Sequence, residues 1–331
     1  MPTPVLEIRD LHVWFRVFEG ILKVVNGANL IVWPGEKVSL VGETGCGKSV
    51  MAKSIMSLLS MPPAIIPKGK ILFKGKNILK MGKVELQEIR KKEISMIFQD
   101  PVTALNPVFT IGTQLGDVIR FMEGSKRNMT RDSIRKRAIQ LLKEVSLPDP
   151  ERILRSYPIQ LSGGMCQRIC ITTALATANE LIIADEPGTS LDVTIQDQIM
   201  RLLEELVEKL GTSIILISHA LGAVRNMTDR VYVMYAGSIV ESAKTKDFFA
   251  HPLHPYSQGL LLATPRLTGG GIKEGIPGDV PDYSNPPAGC RFYPRCKYAM
   301  PICKDKKPPA FKVDEGHEVA CWLVQNHMVT R

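Results

Sequence analysis

Eight consecutive residues, Gly42-Glu43-Thr44-Gly45-Cys46-Gly47-Lys48-Ser49, have the form G-x-x-x-x-G-K-S, and each fixed position has a use in holding a polyphosphate. Glycines let the backbone curl until successive N–H groups point inward at phosphate oxygens. Lys48 has the reach to meet the β- and γ-phosphates, and the Ser49 hydroxyl can ligate Mg2+. The loop follows the apolar run Val38–Val41 and opens a helix-like run from Val50, so a helix N-terminus adds its positive dipole end. Residues Gly42 to Val50 are therefore the expected nucleotide-contacting stretch. Downstream, Leu181-Ile182-Ile183-Ala184-Asp185-Glu186 reads as an apolar strand ending in two carboxylates. Asp185 suits Mg2+, directly or through a water, and Glu186 is placed to polarise an attacking water. The chemistry implied is binding of a nucleoside triphosphate with Mg2+, which still leaves kinases, GTPases and motors open.

Alternating strands and helices must position these groups. Short β-branched runs at Lys37–Val41, Ile94–Phe98, Leu181–Ala184, Ser213–Ile217 and Val231–Met234 alternate with amphipathic stretches such as Arg131–Val145 and Val193–Leu210. That pattern predicts an α/β fold of the P-loop NTPase class with a mainly parallel sheet. Residues 100–178 have helical period and no strand of their own, which predicts a helical subdomain inserted into a sheet domain spanning 1–245. From 246 to 331 the texture changes. Eleven of the 23 prolines fall between His251 and Phe311, with the run Gly269-Gly270-Gly271 among them, and such density disfavours long helices and strands. This extension is expected to be loop-rich and to need a staple.

Four of the seven cysteines, Cys290, Cys296, Cys303 and Cys321, could supply one, with spacing C-x5-C-x6-C-x17-C. In a cytosolic chain such a cluster suggests a metal before it suggests disulfides, with zinc, an iron–sulfur cluster and unligated thiols all open. Zinc ribbons favour C-x2-C pairs, which are absent here. No apolar run reaches the roughly 18–20 residues that span a bilayer, and the first residues lack the basic-then-apolar order of a signal peptide. The net charge of +9 is carried by scattered Lys and Arg without interleaved aromatics, so a solvated surface is expected rather than a nucleic-acid partner.

The segment Leu161-Ser162-Gly163-Gly164-Met165-Cys166-Gln167 lies between the loop and the acidic strand. Its L-S-G-G-x-x-Q pattern resembles the signature of ABC-type ATPases, and further motifs match that family in order along essentially the whole chain. Gln99 in Phe98-Gln99-Asp100-Pro101 is similar to the family's glutamine loop, Ser190-Leu191-Asp192 to its D-loop, and His219 in Ile217-Ser218-His219 to its switch histidine. The resemblance implies that Ser162, Gly163, Gly164 and Gln167, with Asp192, act on ATP held by a partner subunit in a head-to-tail dimer. It implies that Gln99 senses Mg2+ beside Ser49 and Asp185, that His219 meets the γ-phosphate, and that Glu186 is the base. An N-terminal aromatic stacks on adenine in the family; Trp14, Phe15 and Phe18 are candidates, with Phe15 preferred. The chain departs from the family pattern at Cys166, Gly188 and Ala220, which bears on hydrolysis rate and partner interface.

The tail sequences His251-Pro252-Leu253-His254-Pro255-Tyr256, Gly289-Cys290-Arg291-Phe292 and Pro294-Arg295-Cys296, with the loop Asp100–Pro107, resemble oligopeptide and dipeptide importer ATPases. That resemblance implies a [4Fe-4S] cluster on the four tail cysteines, with zinc the alternative. It also implies a second ABC ATPase subunit (a paralogue, or a second copy), two membrane permeases, an extracytoplasmic substrate-binding protein, and a place on the cytoplasmic face of the membrane. Relatives for nickel and for oligosaccharides belong to the same group. A soluble ABC ATPase acting on DNA or ribosomes is disfavoured, because the interval from Gly42 to Ser162 is too short for a coiled-coil insertion and the chain holds one ATPase unit.

Overall fold

The computed structural model describes residues 3–123, 130–177, 180–263 and 275–325; the triglycine run at 269–271 lies outside them. Two compact units emerge, one built from Met1–Lys80 with Leu216–Arg331, the other from Met81–Ile215. The sequence expectation is a domain at 1–245 with a helical subdomain at about 100–178 inside it, followed by the extension at 246–331.

In the first unit, β1 (Leu6–Val17) and β2 (Gly20–Val32) form a hairpin, β3 (Lys37–Val41) leads into the phosphate loop, and α1 (Lys48–Ile55) follows it. Next come β4 (Ala64–Phe73) and the short β5 (Lys76–Asn77). Strands β2, β1, β4 and β5 make an antiparallel sheet in that order. The core face of β1 shows why sequence periodicity hid this sheet. Leu6 and Ile8 are buried, then Leu11 and Val13, so the buried positions change from even to odd. A register shift between Ile8 and Leu11, with Asp10 at φ 46°, absorbs the extra residue. Such a bulge keeps the apolar side chains facing inward while breaking strict alternation.

The second unit begins with α2 (Lys83–Lys92) and β6 (Ile94–Ile97), then runs through α3 (Pro101–Ala104), α4 (Ile111–Glu123), α5 (Arg131–Glu144), α6 (Pro150–Arg155) and α7 (Gly163–Thr177). Helical spacing sets its core: Ile111, Leu115 and Ile119 on α4 and Ile134, Ala138 and Leu141 on α5 are buried at intervals of three or four. Each large aliphatic buried this way contributes about 1.5–3 kcal/mol. After them come β7 (Leu181–Asp185), α8 (Val193–Leu210) and β8 (Ser213–Ile217), which crosses the boundary of the units. Strands β6 and β7 pair in parallel, Ile94 opposite Leu181 through Ile97 opposite Ala184. Both are buried throughout, as expected of strands covered on two faces.

Back in the first unit, α9 (Leu221–Met227) precedes β9 (Arg230–Tyr235) and β10 (Ser238–Lys244). β9 runs parallel to β3 and antiparallel to β10. The tail then supplies α10 (Thr245–Ala250), α11 (Pro255–Leu262), α12 (Pro301–Asp305), β11 (Phe311–Asp314), β12 (His317–Val319) and α13 (Trp322–Gln325). None of these tail elements exceeds the eight residues of α11, and β12 adds to β10 antiparallel. The pairs β3–β9 and β6–β7 beside the nucleotide motifs are parallel, while the β1–β2–β4–β5 sheet and the β9–β10–β12–β11 run are antiparallel.

Candidate nucleotide site and its tail contacts

The phosphate loop is shaped by the strand beside it. Pairing of β3 with β9 ends at Val41 opposite Val233, so the next residue, Gly42, meets the backbone of Met234. A Cβ at Gly42 would stand 2.1 Å from the Met234 carbonyl oxygen, and its φ of +153° is reserved for glycine. Within the curl, the Lys48 ammonium donates to the carbonyls of Gly42 (2.8 Å) and Glu43 (3.0 Å) and is only 5% exposed. Cys46 is buried, which pushes its thiol pKa up; Lys48, 3.7 Å from the sulfur, opposes the shift. The Cys46 carbonyl accepts from the Gly237 N–H in the β9–β10 turn at 2.9 Å. Thr44 and Gly45 face solvent, with Ser49 and Val50 half-buried at the start of α1.

Three tail side chains also hold this loop, and sequence reasoning missed all three. The Glu43 N–H donates to the Tyr256 hydroxyl at 2.8 Å. The Tyr283 hydroxyl donates to the Gly45 carbonyl at 2.8 Å. Arg295 grips the Glu43 carboxylate with both terminal nitrogens, at 2.7 and 3.0 Å. Behind them Tyr235, Tyr256 and Phe292 pack with centroids 4.6–5.5 Å apart. Arg291 donates to the carbonyls of Ala236 and Lys23. The only sequence signal was adjacency, Arg291 and Arg295 sitting among the cysteines and Tyr256 closing the quoted His-Pro run; spacing gives no pointer to Glu43.

A buried carboxylate anchors the tail. Glu241 on β10, 1% exposed, accepts from the N–H groups of Leu253 and His254, both at 2.9 Å, and pairs with His317 at 2.8 Å. Burial pushes its pKa up, but the hydrogen bonds from His317, Leu253 and His254 outweigh this and hold it below the usual carboxylate range. His254 caps α11, its Nδ1 accepting from the Tyr256 N–H at 3.0 Å, and burial drives its pKa down to about 4.

In the second unit, strand register brings two predicted groups together. Gln99 and Glu186 each lie two residues beyond the last β6–β7 pair, Ile97 and Ala184, and the Gln99 amide donates to the Glu186 carboxylate at 2.9 Å. Thr189 donates to the same oxygen at 3.2 Å. Glu186 adopts φ 49°, a left-handed backbone rarely used by a non-glycine residue, while Asp185 before it is buried to 3%. The signature opens α7, with exposed Ser162 accepting from the Met165 N–H at 3.3 Å. Gly163 and Gly164 lie half-exposed in its first turn. Gln167 is buried instead, neither amide atom having a hydrogen-bond partner, so within this chain it presents nothing to a ligand. The Asp192 carboxylate caps α8 by accepting from the Ile195 N–H at 3.0 Å.

The family departures have local causes. Cys166 is buried with its thiol directed at the Pro158 carbonyl, 3.6 Å away. A Cβ at Gly188 would stand 2.7 Å from the Gln196 Cγ, so a larger residue forces that side chain to shift. Ala220 precedes α9 without a side-chain cap. In the first unit His219 follows β8 and is exposed. Phe15 is half-buried on β1 opposite Leu22 and Ala64, Trp14 lies beneath the Lys23 ammonium, and Phe18 is fully exposed.

The four tail cysteines line one cavity with His254, Phe292 and Trp322; it offers about 10 Å3 to the centre of a water, room for about one. Burial raises Cys290 to about 11 and Cys321 to about 12. Yet among the described residues no group of three or more His, Cys, Asp or Glu is placed to hold a metal ion. The four thiols of the expected metal-binding extension therefore share one cavity without forming such a group.

Comparison with known proteins agrees with the motif order. Residues 25–189 match the family described as ABC transporter, and residues 240–303 match the oligopeptide/dipeptide transporter C-terminal region. The chain is 45% identical over 324 residues to the oligopeptide transport ATP-binding protein OppD of Bacillus subtilis (strain 168), covering 97% of this chain and 89% of that one. It is 44% identical over 320 residues to the dipeptide transport ATP-binding protein DppD of the same organism, covering 96% and 94%. Among solved structures, the ATP-binding cassette MJ0796, in a dimeric post-hydrolysis state bound to ADP and Pi, superposes with a TM-score of 0.64 at 28% identity, covering 72% of this chain and 98% of that one. CbiO1 from Clostridium perfringens, part of the cbiONQ ABC transporter complex, gives 0.62 at 26% identity, with 75% and 91% covered.

Proposed function

The chain belongs to the ABC transporter ATP-binding proteins, in the branch that carries the oligopeptide/dipeptide C-terminal region, and from that premise we propose that its ATPase activity drives peptide import. The observation that carries the catalytic part is Glu186, held by Gln99 and Thr189 immediately after buried Asp185. Its carboxylate takes the proton of the water that attacks the γ-phosphate, and the hydrogen bond from Gln99 fixes its orientation. Lys48 and the loop N–H groups bind the phosphates, His219 hydrogen-bonds the γ-phosphate, and Phe15 stacks on adenine. Ser49, Asp185 and Gln99 offer the hard oxygen donors that suit Mg2+, which when bound neutralises the phosphate charge. Exposed Ser162 with Gly163 and Gly164, and Asp192, address ATP bound by a partner subunit, so two ATPase subunits close on nucleotide head to tail.

The division at residue 245 retains functional meaning in this reading, the 1–245 segment carrying the ATPase motifs and 246–331 the importer-type extension. The relatives at 45% and 44% identity are named for oligopeptide and dipeptide transport, and that favours peptides over nickel or oligosaccharides. The partners are a second ABC ATPase subunit, two permeases and an extracytoplasmic binding protein. No helix among the described residues is long and apolar enough to cross a membrane, so attachment at the cytoplasmic face falls to the permeases. A [4Fe-4S] cluster is a finer proposal, supported by the soft donor set on one cavity and by the one thiolate that each iron requires. About four iron and four sulfide per chain in anaerobically prepared protein supports it; their absence removes it.

The decisive experiment compares uptake of labelled di- and oligopeptides in a strain lacking this chain, complemented with wild type or Lys48→Ala. Restored uptake with wild type alone is expected. Uptake restored equally by Lys48→Ala refutes the ATPase role, and unaffected peptide uptake in the deletion strain refutes the cargo.

A further inference from the structure

Glu43 is the single acidic residue within Gly42–Ser49, and an anionic side chain in a loop that takes up a polyanion needs an explanation. The structure provides its counter-charge from 252 residues away. Arg295 is 5% exposed at its side chain and Glu43 is 27% exposed, and the two meet in a fork-to-fork pair. The guanidinium is fixed before it reaches Glu43, donating to the carbonyls of Ile276 and Pro277, both at 2.9 Å, and to the Tyr235 hydroxyl at 3.4 Å. Two further tail groups set the loop backbone on either side of Glu43's peptide unit: the Tyr256 hydroxyl on its N–H and the Tyr283 hydroxyl on the Gly45 carbonyl.

We propose that Arg295 is a positioning residue for ATP binding, acting through Glu43: it cancels the one negative charge of the phosphate loop and fixes the loop's first turn. The proposal rests on the reading of Gly42–Ser49 as the phosphate site. The tail is then a working part of the nucleotide site, and a lysine would not replace the arginine, because a point charge cannot grip both carboxylate oxygens and the Ile276 carbonyl at once.

The test measures the Kd for MgATP, with kcat and Tm, on the full chain carrying Arg295→Ala, Arg295→Lys, Glu43→Gln or the Arg295→Ala/Glu43→Gln pair. Arg295→Ala should weaken ATP binding by about tenfold or more, since a charged, desolvated fork is lost and its carboxylate is left facing the phosphates. Arg295→Lys should fall between. Glu43→Gln is the reference for the pair, and Arg295→Ala added to it should cost much less affinity than Arg295→Ala costs in wild type. A Kd for Arg295→Ala within twofold of wild type overturns the proposal. So does equal weakness of the single and double variants, which would make Arg295 a mere tether of the tail. Should Arg295→Ala not fold, Arg295→Gln with and without Glu43→Gln reads the same contrast. Lys48→Ala separates the two layers: weakened binding there with an unaffected Arg295→Ala overturns this proposal alone, whereas unaffected binding in Lys48→Ala overturns the phosphate-site reading and this proposal with it.

Discussion

Acidification should loosen the tail through His254 before it touches any carboxylate. The imidazole is buried and serves as acceptor for the Tyr256 N–H, a role only the neutral ring can fill. Burial, opposed by the nearby charge of Glu241, moves its pKa from the ordinary 6.5 to about 4. Between those values the unfolded chain binds a proton that the folded chain refuses, so stability falls as pH drops through 6.5 toward 4. At about 1.4 kcal/mol per pH unit, integration gives a loss of about 2 kcal/mol between pH 7 and pH 5. Glu241 does not confuse this window. Its pKa is depressed, so its contribution is complete above the unfolded value near 4.3 and is lost only below it. The assay is urea unfolding at pH 7, 6 and 5 for wild type and His254→Asn, which keeps a helix-capping oxygen without a titrating group. The variant starts less stable because it loses the ring contact with Phe292, whose centroid lies 5.7 Å away. Its stability should nevertheless change by about 2 kcal/mol less than wild type across the same range. Parallel pH profiles for the two proteins would refute the reasoning.

Glu186→Gln should retain MgATP binding and lose about 10²–10⁴-fold in turnover, the usual contribution of a general base, as read by steady-state phosphate release; normal turnover removes Glu186 from that role. Gly42→Ala places a methyl group 2.1 Å from the Met234 carbonyl, and should cost about 4 kcal/mol or more with loss of nucleotide binding; a variant with wild-type Tm contradicts the geometry. Glu241→Leu strands the N–H groups of Leu253 and His254, costing about 1–3 kcal/mol for each. Limited proteolysis should then cut the tail first, and an unchanged digestion pattern would deny Glu241 its anchoring role. Cys170, half-buried with its pKa pushed up to about 12, should react with iodoacetamide at pH 8 far more slowly than a free thiol; equal rates would show that the thiol is not shielded.

Motifs bounded by short, largely buried strands were legible from sequence. The run Lys37–Val41 is β3 residue for residue, Ser213–Ile217 is β8, and Val193–Leu210 is α8, because each carries an unbroken period and a sharp stop. The antiparallel sheet was not legible. β1 changes the parity of its buried positions at Asp10, and its solvent face carries charges, so neither alternation nor an apolar run survives intact. At the site, the Gln99–Glu186 contact follows from register, which sequence spacing cannot fix over 87 residues. The Arg295 fork depends on tertiary packing of a proline-rich tail that has no period to read. Gln167 erred in the other direction: its motif position suggested ligand contact, while the packing of α7 turns it inward.

The clamp on the phosphate loop also sets an order of events during synthesis. A growing chain displays Gly42–Ser49 long before the ribosome reaches Tyr256 and Tyr283, and Arg295 follows Glu43 by 252 residues. Until then the loop carries the Glu43 charge without Arg295 beside it, and under the positioning role proposed for Arg295 the nascent ATPase binds nucleotide weakly. Any product that stops short of residue 295 keeps that handicap permanently. On that proposed role, chains truncated before Arg295 hold every catalytic motif yet compete weakly for ATP.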